Sequence, residues 1–341
     1  MNRSSNKLQH IKLALLALAV LAFVCIVPNI TTGYSMMVMN VAIINFIAAL
    51  GLSVMLGLGG LLSFATVSMM GIGAYITANL TSGRLGFAIP TMSALALALL
   101  GSGIVALVIG MILLRLKGTY FTFATIGLVQ VTWSIYLNYK PLCGGPDGIS
   151  SIPTINLFGF VPANYQEWFY VLMATAVLVG VLIERIRKTN LGRSLSSIRD
   201  NEIAANTLGV NVYMTKVWAF VIAGMLAGLA GSLYAMHAKF ISADLFTFDV
   251  STLYVIMVML GGVNSTSGVF VGAVLVMMMP EWLRPVERYL KLFFGIGVIL
   301  LMVFMPMGLA GMVNIFLRRK FGNRRDKRER PEKGVVNEAN T

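Results

Sequence analysis

Apolar runs of membrane-spanning length recur along the chain, separated by short polar turns, and that alternation predicts a bundle of helices crossing a bilayer. Ten segments are expected: Leu13–Val27, Tyr34–Leu56, Leu61–Leu80, Phe87–Leu114, Thr119–Leu137, Trp168–Ile183, Val217–Met236, Val250–Leu260, Val269–Met279 and Leu292–Val313. The first follows Arg3, Lys7 and Lys12 and lacks a small-residue cleavage site, so an uncleaved signal-anchor span is expected. The eighth and ninth fall short of the roughly 20 residues a straight crossing needs, and they read as shortened or half-broken helices beside a cavity. Pro306 predicts a kink in the last.

Small and hydroxyl residues vary this pattern. Gly224, Gly228 and Gly231 form a small-residue face on the seventh span, suited to close helix contact. The segment LLSFATVSMMGIGAY is rich in Ser, Thr and Gly, so it can pack closely or break locally to line a cavity. Ser63, Thr66, Ser68, Thr122 and Thr125 are candidate solute-path residues, with interhelical hydrogen bonding the competing use. A faint internal echo relates SVMLGLGGLLSFATVSMMGIGAY to VIMVMLGGVNSTSGVFVGAVL, and paired interrupted segments of this kind border the solute site in transporters with internal repeats. The longest outer connection contains LCGGPDGIS, where Gly144, Gly145 and Gly148 permit turns and Asp147 can bond neighbouring amides, an outer gate loop.

One polar insert looks folded. In Thr189 to Lys216, Asn190 is placed to cap a turn through Arg193, Leu195 and Ile198, and Asp200 to cap a second, with Glu202 in its first turn and Gly209 ending it. Ile203, Ala204, Thr207 and Leu208 then share one face. Another protein gripping that face is one reading, and a helix lying on the membrane surface is the other.

Composition settles the class. The 341 residues are 57% hydrophobic and 11% charged, with 22 Met and a mean hydropathy of +0.83, so this is an all-α polytopic membrane protein. The net charge of +13 sits on one side: only Arg84, Lys140, Lys239, Arg284, Arg288 and Lys291 fall on the outer side of the ten-span arrangement, which puts both termini in the cytoplasm. The basic tail from Arg318 is expected to be disordered and to meet anionic lipid, with no nucleic acid partner, because Phe321 is its only base-stacking aromatic.

The chemistry excluded is as informative. With the spans drawn as above, no Asp, Glu, Lys or Arg lies near the centre of any, as an ion-driven carrier would need. No GxxxxGK[ST] loop is present to hydrolyse ATP. His10 and His237 lie at membrane borders without metal or triad partners, and Cys25 and Cys143 lack redox spacing, so no catalytic, metal or cofactor site is expected.

The run Gly192-Arg193, Ile198-Arg199-Asp200-Asn201-Glu202, Ala204-Ala205, Leu208-Gly209-Val210-Asn211 and Lys216, leading into AFVIAGMLAGLAGSLYA, resembles the coupling loop of LivM-type permeases. These are membrane subunits of ABC importers for branched-chain amino acids. The resemblance extends roughly from Asn40 to Met312 through GLLSFATVSMMGIGAY, LRLKGTYFTFATIGL, GGPDGI and MLGGVNSTSGVFVGA. It implies a bacterial inner-membrane permease pairing with a LivH-type permease, two ATPase subunits that carry ATP and Mg, and a periplasmic binding protein. Asn190, Gly192, Arg193, Arg199, Asp200, Glu202, Ala204, Ala205 and Gly209 would then couple to the ATPase. Thr66 stands where many relatives have His, and Met69-Met70 where they have paired Phe. A different solute, such as urea or another small amide or acid, therefore stays open, as does a stand-alone facilitator. The expected organisation is residues 1–33 as N-terminus and first span, 34–313 as permease core with the 189–216 loop, and 314–341 as the tail.

Overall fold

The computed structural model describes residues 33–84, 86, 88–157, 159–282 and the single positions 28 and 295. The first and last expected spans, the tail, Cys25 and Pro306 lie outside the described residues. Ten helices concern us: α1 Tyr34–Ser53, continued by a π turn Val54–Leu58, then α2 Thr66–Thr81, α3 Thr91–Leu113, α4 Thr119–Asn138, α5 Tyr165–Lys188, α6 Asn190–Asp200, α7 Glu202–Thr207, α8 Val212–Ala238, α9 Phe248–Gly261 and α10 Thr266–Trp282. Two-residue strands β1 (Ile149–Ser150) and β2 (Phe240–Ile241) pair antiparallel, with Ile149 opposite Ile241.

Five of these helices, including α1 with its π turn, are long and apolar enough to cross a membrane, while α9 and α10 are shorter. Burial sorts them into a centre and a rim. The apolar windows of α1 and α8 are 89% and 83% buried, against 28% for α3, 28% for α4 and 39% for α5. α8 packs on α1, α2 and α3, while α1 also holds α5 and α10.

Small residues allow this centre to close. A Cβ on Gly231 would stand 1.9 Å from the Met70 carbonyl oxygen, and one on Gly73 would stand 2.2 Å from that of Gly228, so α2 and α8 touch backbone to backbone. Beside the contact Thr77 Oγ1 donates to Ser232 Oγ at 2.8 Å. With no water in hydrocarbon, such pairing is what keeps a buried hydroxyl from costing stability.

Segment bounds differ from those expected where backbone groups found partners elsewhere. The segment from Leu61 does not start as helix: residues 60–64 are non-helical, and α2 begins only at Thr66. Its polar groups are taken up by distant hydroxyls. Leu61 N donates to Met55 O at 3.0 Å, Thr122 Oγ1 donates to Leu62 O at 3.1 Å, and Phe64 N donates to Thr125 Oγ1 at 3.2 Å. Ser251 Oγ closes the set on Phe64 O. Broken backbone at membrane depth survives only where protein satisfies it in this way. α9 is short because the chain ahead of it turns inward through β2 and a 3-10 turn, Ala243–Phe246, whose Phe246 ring packs at 5.8 Å on Tyr136 of α4.

Charge marks the two faces. Arg115, Lys117, Arg185, Arg187, Lys188, Arg193, Arg199 and Lys216 gather at one set of helix ends, with α6 and α7, whereas Arg84, Lys140 and Lys239 lie at the other. The former is called the basic face below.

Candidate functional site

The folded insert forms two short helices on the basic face, with its caps one residue from where they were expected. Thr189 precedes α6, and Asn190 is its first helical residue, accepting from Arg193 Nη2. Asn201, not Asp200, caps α7: its backbone is extended and its Oδ1 accepts from Ala204 N at 3.0 Å. Both residue types can cap, and the break in the chain falls one position later. Gly209 follows with φ of +84°, the left-handed conformation that ends such a helix.

The pair has a fixed side and a free side. Gly192, Leu195, Ile198 and Ala205 are buried against the bundle. A Cβ at Gly192 would come within 2.5 Å of the carbonyl oxygens of Ile186 and Arg187. Glu202 is tied to Lys216 at the base of α8 by a 2.7 Å ion pair. On the other side Ile203 is 79% exposed and Leu208 83%, and Ala204 and Thr207 beside them are exposed too.

Arg199 is the link between this pair and the membrane helices. Its Nη1 donates to Gly57 O at 2.7 Å, and its Cγ lies 2.8 Å from where a Gly60 Cβ would stand. With the Asn264 amide oriented to satisfy its neighbours, Asn264 Nδ2 donates to Gly57 O at 2.8 Å and its Oδ1 accepts from Arg199 Nη1 at 3.1 Å. Arg187 of α5 donates to the Asn264 carbonyl. The two Gly-Gly turns of the internal echo thus meet at one point, since a Cβ on Gly57 would lie 2.1 Å from Val263 O. Among the described residues Asp200 pairs only with Arg199, at 3.3 Å on the surface.

The hydroxyls first considered for the solute path lie between helices. Ser63 Oγ accepts from Ala65 N, Ser68 Oγ accepts from Thr132 Oγ1 at 2.9 Å, and Thr122 and Thr125 hold the broken stretch. Thr66, Met69 and Met70 are buried as well, and Tyr254 Oη donates to the Met70 sulfur. Sequence reasoning did not single out Gln130, an amide exposed at mid-length of α4. Spacing offered a signal, because Phe123, Gly127, Gln130 and Ser134 recur every three or four residues.

At the opposite face Gly144, Gly145 and Gly148 all have positive φ, of 78°, 66° and 68°, around a 3-10 turn ending at Asp147. Gly148 is pressed against β2, where a Cβ would sit 2.3 Å from Ile241 O. Asp147 is exposed and makes none of the amide hydrogen bonds expected of it among the described residues. Asn79 Nδ2 donates to Leu142 O and Arg84 Nη2 to Lys140 O, at 2.7 and 2.9 Å. Cys143 is buried beneath, and burial pushes its thiol up to about 11 despite the opposing pull of Arg84. A separate cavity of about 530 Å³ opens on this face between α5 and the end of α8, beside Trp168 and His237.

A rim of apolar helices, a broken segment satisfied internally and an amphipathic helix pair fastened beneath define a polytopic membrane permease. The model of the branched-chain amino acid transport system permease component matches residues 34–305, and this chain belongs to that family, as a LivM-type member. It is 32% identical to the high-affinity branched-chain amino acid transport permease LivM of Salmonella typhimurium, over 91% of this chain and 77% of that protein. Escherichia coli LivM is 31% identical over the same shares, and a probable LivM of Methanocaldococcus jannaschii 25% over 83% and 85%. No solved structure matches the chain.

Proposed function

We propose that this chain is the membrane-spanning permease subunit of an ATP-driven importer of branched-chain amino acids, moved by separate ATPase subunits that grip α6 and α7. The observation that carries this reading is the two-sided helix pair. Ile203 and Leu208 are large, apolar and outward, yet the same pair is anchored from beneath by Arg199, Glu202 and Ala205. An apolar anchor presented on a rigid mount is what a partner's groove requires, whereas a loose surface helix has no use for the mount. A LivH-type permease, two ATPase subunits and a periplasmic binding protein make up the rest of the assembly, with the basic face in the cytoplasm.

In this mechanism the ATPases displace α6 and α7, and Arg199 passes the displacement to both Gly-Gly turns at once. The bundle then alternates between faces. The two charged ends of an amino acid need no charged residue in the path, since helix ends, amides and hydroxyls can satisfy them. Co-purification tests the reading: the ATPase is expected to come down with the wild-type chain and to be lost from Ile203→Arg, although that side chain is 79% exposed. Uptake of leucine into vesicles that continues after ATP is exhausted would overturn it.

A further inference from the structure

The three long helices of the rim expose different chemistry. α3 turns out Leu97, Leu100, Ile104, Val108 and Ile112, and α5 turns out Tyr170, Val177, Leu178, Val181 and Leu182. Both faces suit lipid. α4 turns out Gln130 and Ser134, with the bare backbone of Gly127 a turn below and Phe123, Val131 and Ile135 to either side. Gln130 lies about 16 Å along α4 from Thr119, at about 1.5 Å per residue, near the middle of a helix of about 30 Å. Its amide makes no hydrogen bond among the described residues, and Ser134 Oγ is met only by Asn138, at 3.3 Å. A primary amide facing hydrocarbon at that depth is strongly unfavourable, so this face meets water or polar groups.

Its surroundings point the same way. α4 is flanked by both irregular stretches of the fold: the 60–64 segment held by Thr122 and Thr125, and the inward turn whose Phe246 packs on Tyr136. The start of α9 that follows carries Asp249, also exposed.

We infer that the exposed face of α4 lines the translocation path and that Gln130 is its solute-recognition residue, taking the charged end groups of a neutral zwitterion while Phe123, Val131 and Ile135 receive an apolar side chain. An amide suits this task because it offers both donors and an acceptor, one for a carboxylate and one for an ammonium, without selecting a net charge. This rests on the importer reading for its direction and energy source, but not for its geometry.

The test uses the assembled transporter in vesicles, with Cys25 and Cys143 replaced by Ser and single cysteines at Gln130, Ser134, Ile104 and Leu178. A charged, membrane-impermeant thiol reagent needs thiolate, which forms in water and not in lipid, so Gln130→Cys and Ser134→Cys should react at least about tenfold faster than the other two. Leucine should slow the Gln130→Cys reaction. Separately, Gln130→Leu should raise the KM for leucine by about ten- to a hundredfold with kcat little changed, the loss of a hydrogen bond to a charged group, and Gln130→Asn should recover part of it. Labelling of Gln130→Cys no faster than Ile104→Cys would overturn the proposal. So would efficient cross-linking of Gln130→Cys to the partner permease combined with an unchanged KM in Gln130→Leu, which would make this face a subunit contact. Failure of the importer reading shows differently, as ATP-independent uptake by the unmutated complex.

Discussion

Replacing Arg199 by Ala removes a side chain that joins α6 to both Gly-Gly turns. A charged donor to a shielded carbonyl contributes about 1.5–3 kcal/mol. The Arg199 side chain keeps 36% of its exposure, so solvent screening reduces the loss here to about 1–2 kcal/mol. That is about a five- to thirtyfold change in the fraction of molecules with α6 seated on the turns. Asn264 Nδ2 still reaches Gly57 O, so the two turns stay together and the bundle remains folded. The expected result is uncoupling: in the reconstituted importer, ATP hydrolysis continues while leucine uptake per ATP falls about five- to thirtyfold. Arg199→Lys should fall between, because an ammonium can donate to both Gly57 O and Asn264 Oδ1 as Nη1 does but sits on a side chain one atom shorter. Asp200→Ala is the control, since its pair with Arg199 is a surface contact worth little. A wild-type ratio of uptake to hydrolysis in Arg199→Ala would refute the link.

Gly209→Val should cost about 1–2 kcal/mol from backbone conformation alone, since open space surrounds the position and its φ is +84°; ATPase binding in pull-down should weaken while the thermal midpoint moves little. Glu202→Lys should impair ATPase-coupled uptake by breaking the 2.7 Å pair, and the swap with Lys216→Glu should restore much of it, as a double-mutant cycle would read. Cys143, its thiol raised to about 11, should resist maleimide at pH 7–8 and react only as the pH climbs toward that value; fast labelling at neutral pH would place it in water. Asp147→Ala should weaken uptake while leaving ATPase co-purification intact, and unchanged uptake would leave that loop a structural role.

What could be read from the chain alone followed distance along it. The Gly224, Gly228 and Gly231 face was legible because close packing needs small residues at fixed spacing on one helix, and those glycines do seat α8 against α2 and α3. The exposed Ile203, Ala204, Thr207 and Leu208 face was legible for the same reason. The break at residues 60–64 was foreseen only as one of two options. The hydroxyls that make it tolerable, on Thr122, Thr125 and Ser251, arrive from other helices, and no local pattern announces them. The sequence marks Thr122 and Thr125 as hydroxyls but does not say which side of α4 they occupy. They lie toward α2, and Gln130 lies on the outward side.

The same break supplies a physical route between the two ends of the proposed mechanism. Arg199 holds Gly57 and crowds Gly60, and the next residues are fastened in sequence to Met55, to Thr122 and Thr125 of α4, and to Ser251 of α9. The bonds from Leu61 to Phe64 involve non-helical backbone, which can change its dihedral angles without breaking a helix ladder. A continuous helix in this position would resist bending and transmit a push only along its axis. In the proposed mechanism the non-helical stretch would instead let a shift of α6 turn α4 relative to α2, and such a rotation would move Gln130 across the proposed path. Stiffening it tests the route without touching either end. Leu62→Pro removes an amide that bonds to nothing among the described residues, while the Leu62 carbonyl remains free to accept from Thr122. The variant should bind leucine and the ATPase as before yet transport more slowly, because proline fixes one of the angles that has to change. Unaltered turnover in Leu62→Pro would mean that the force reaches α4 through the packed helices instead.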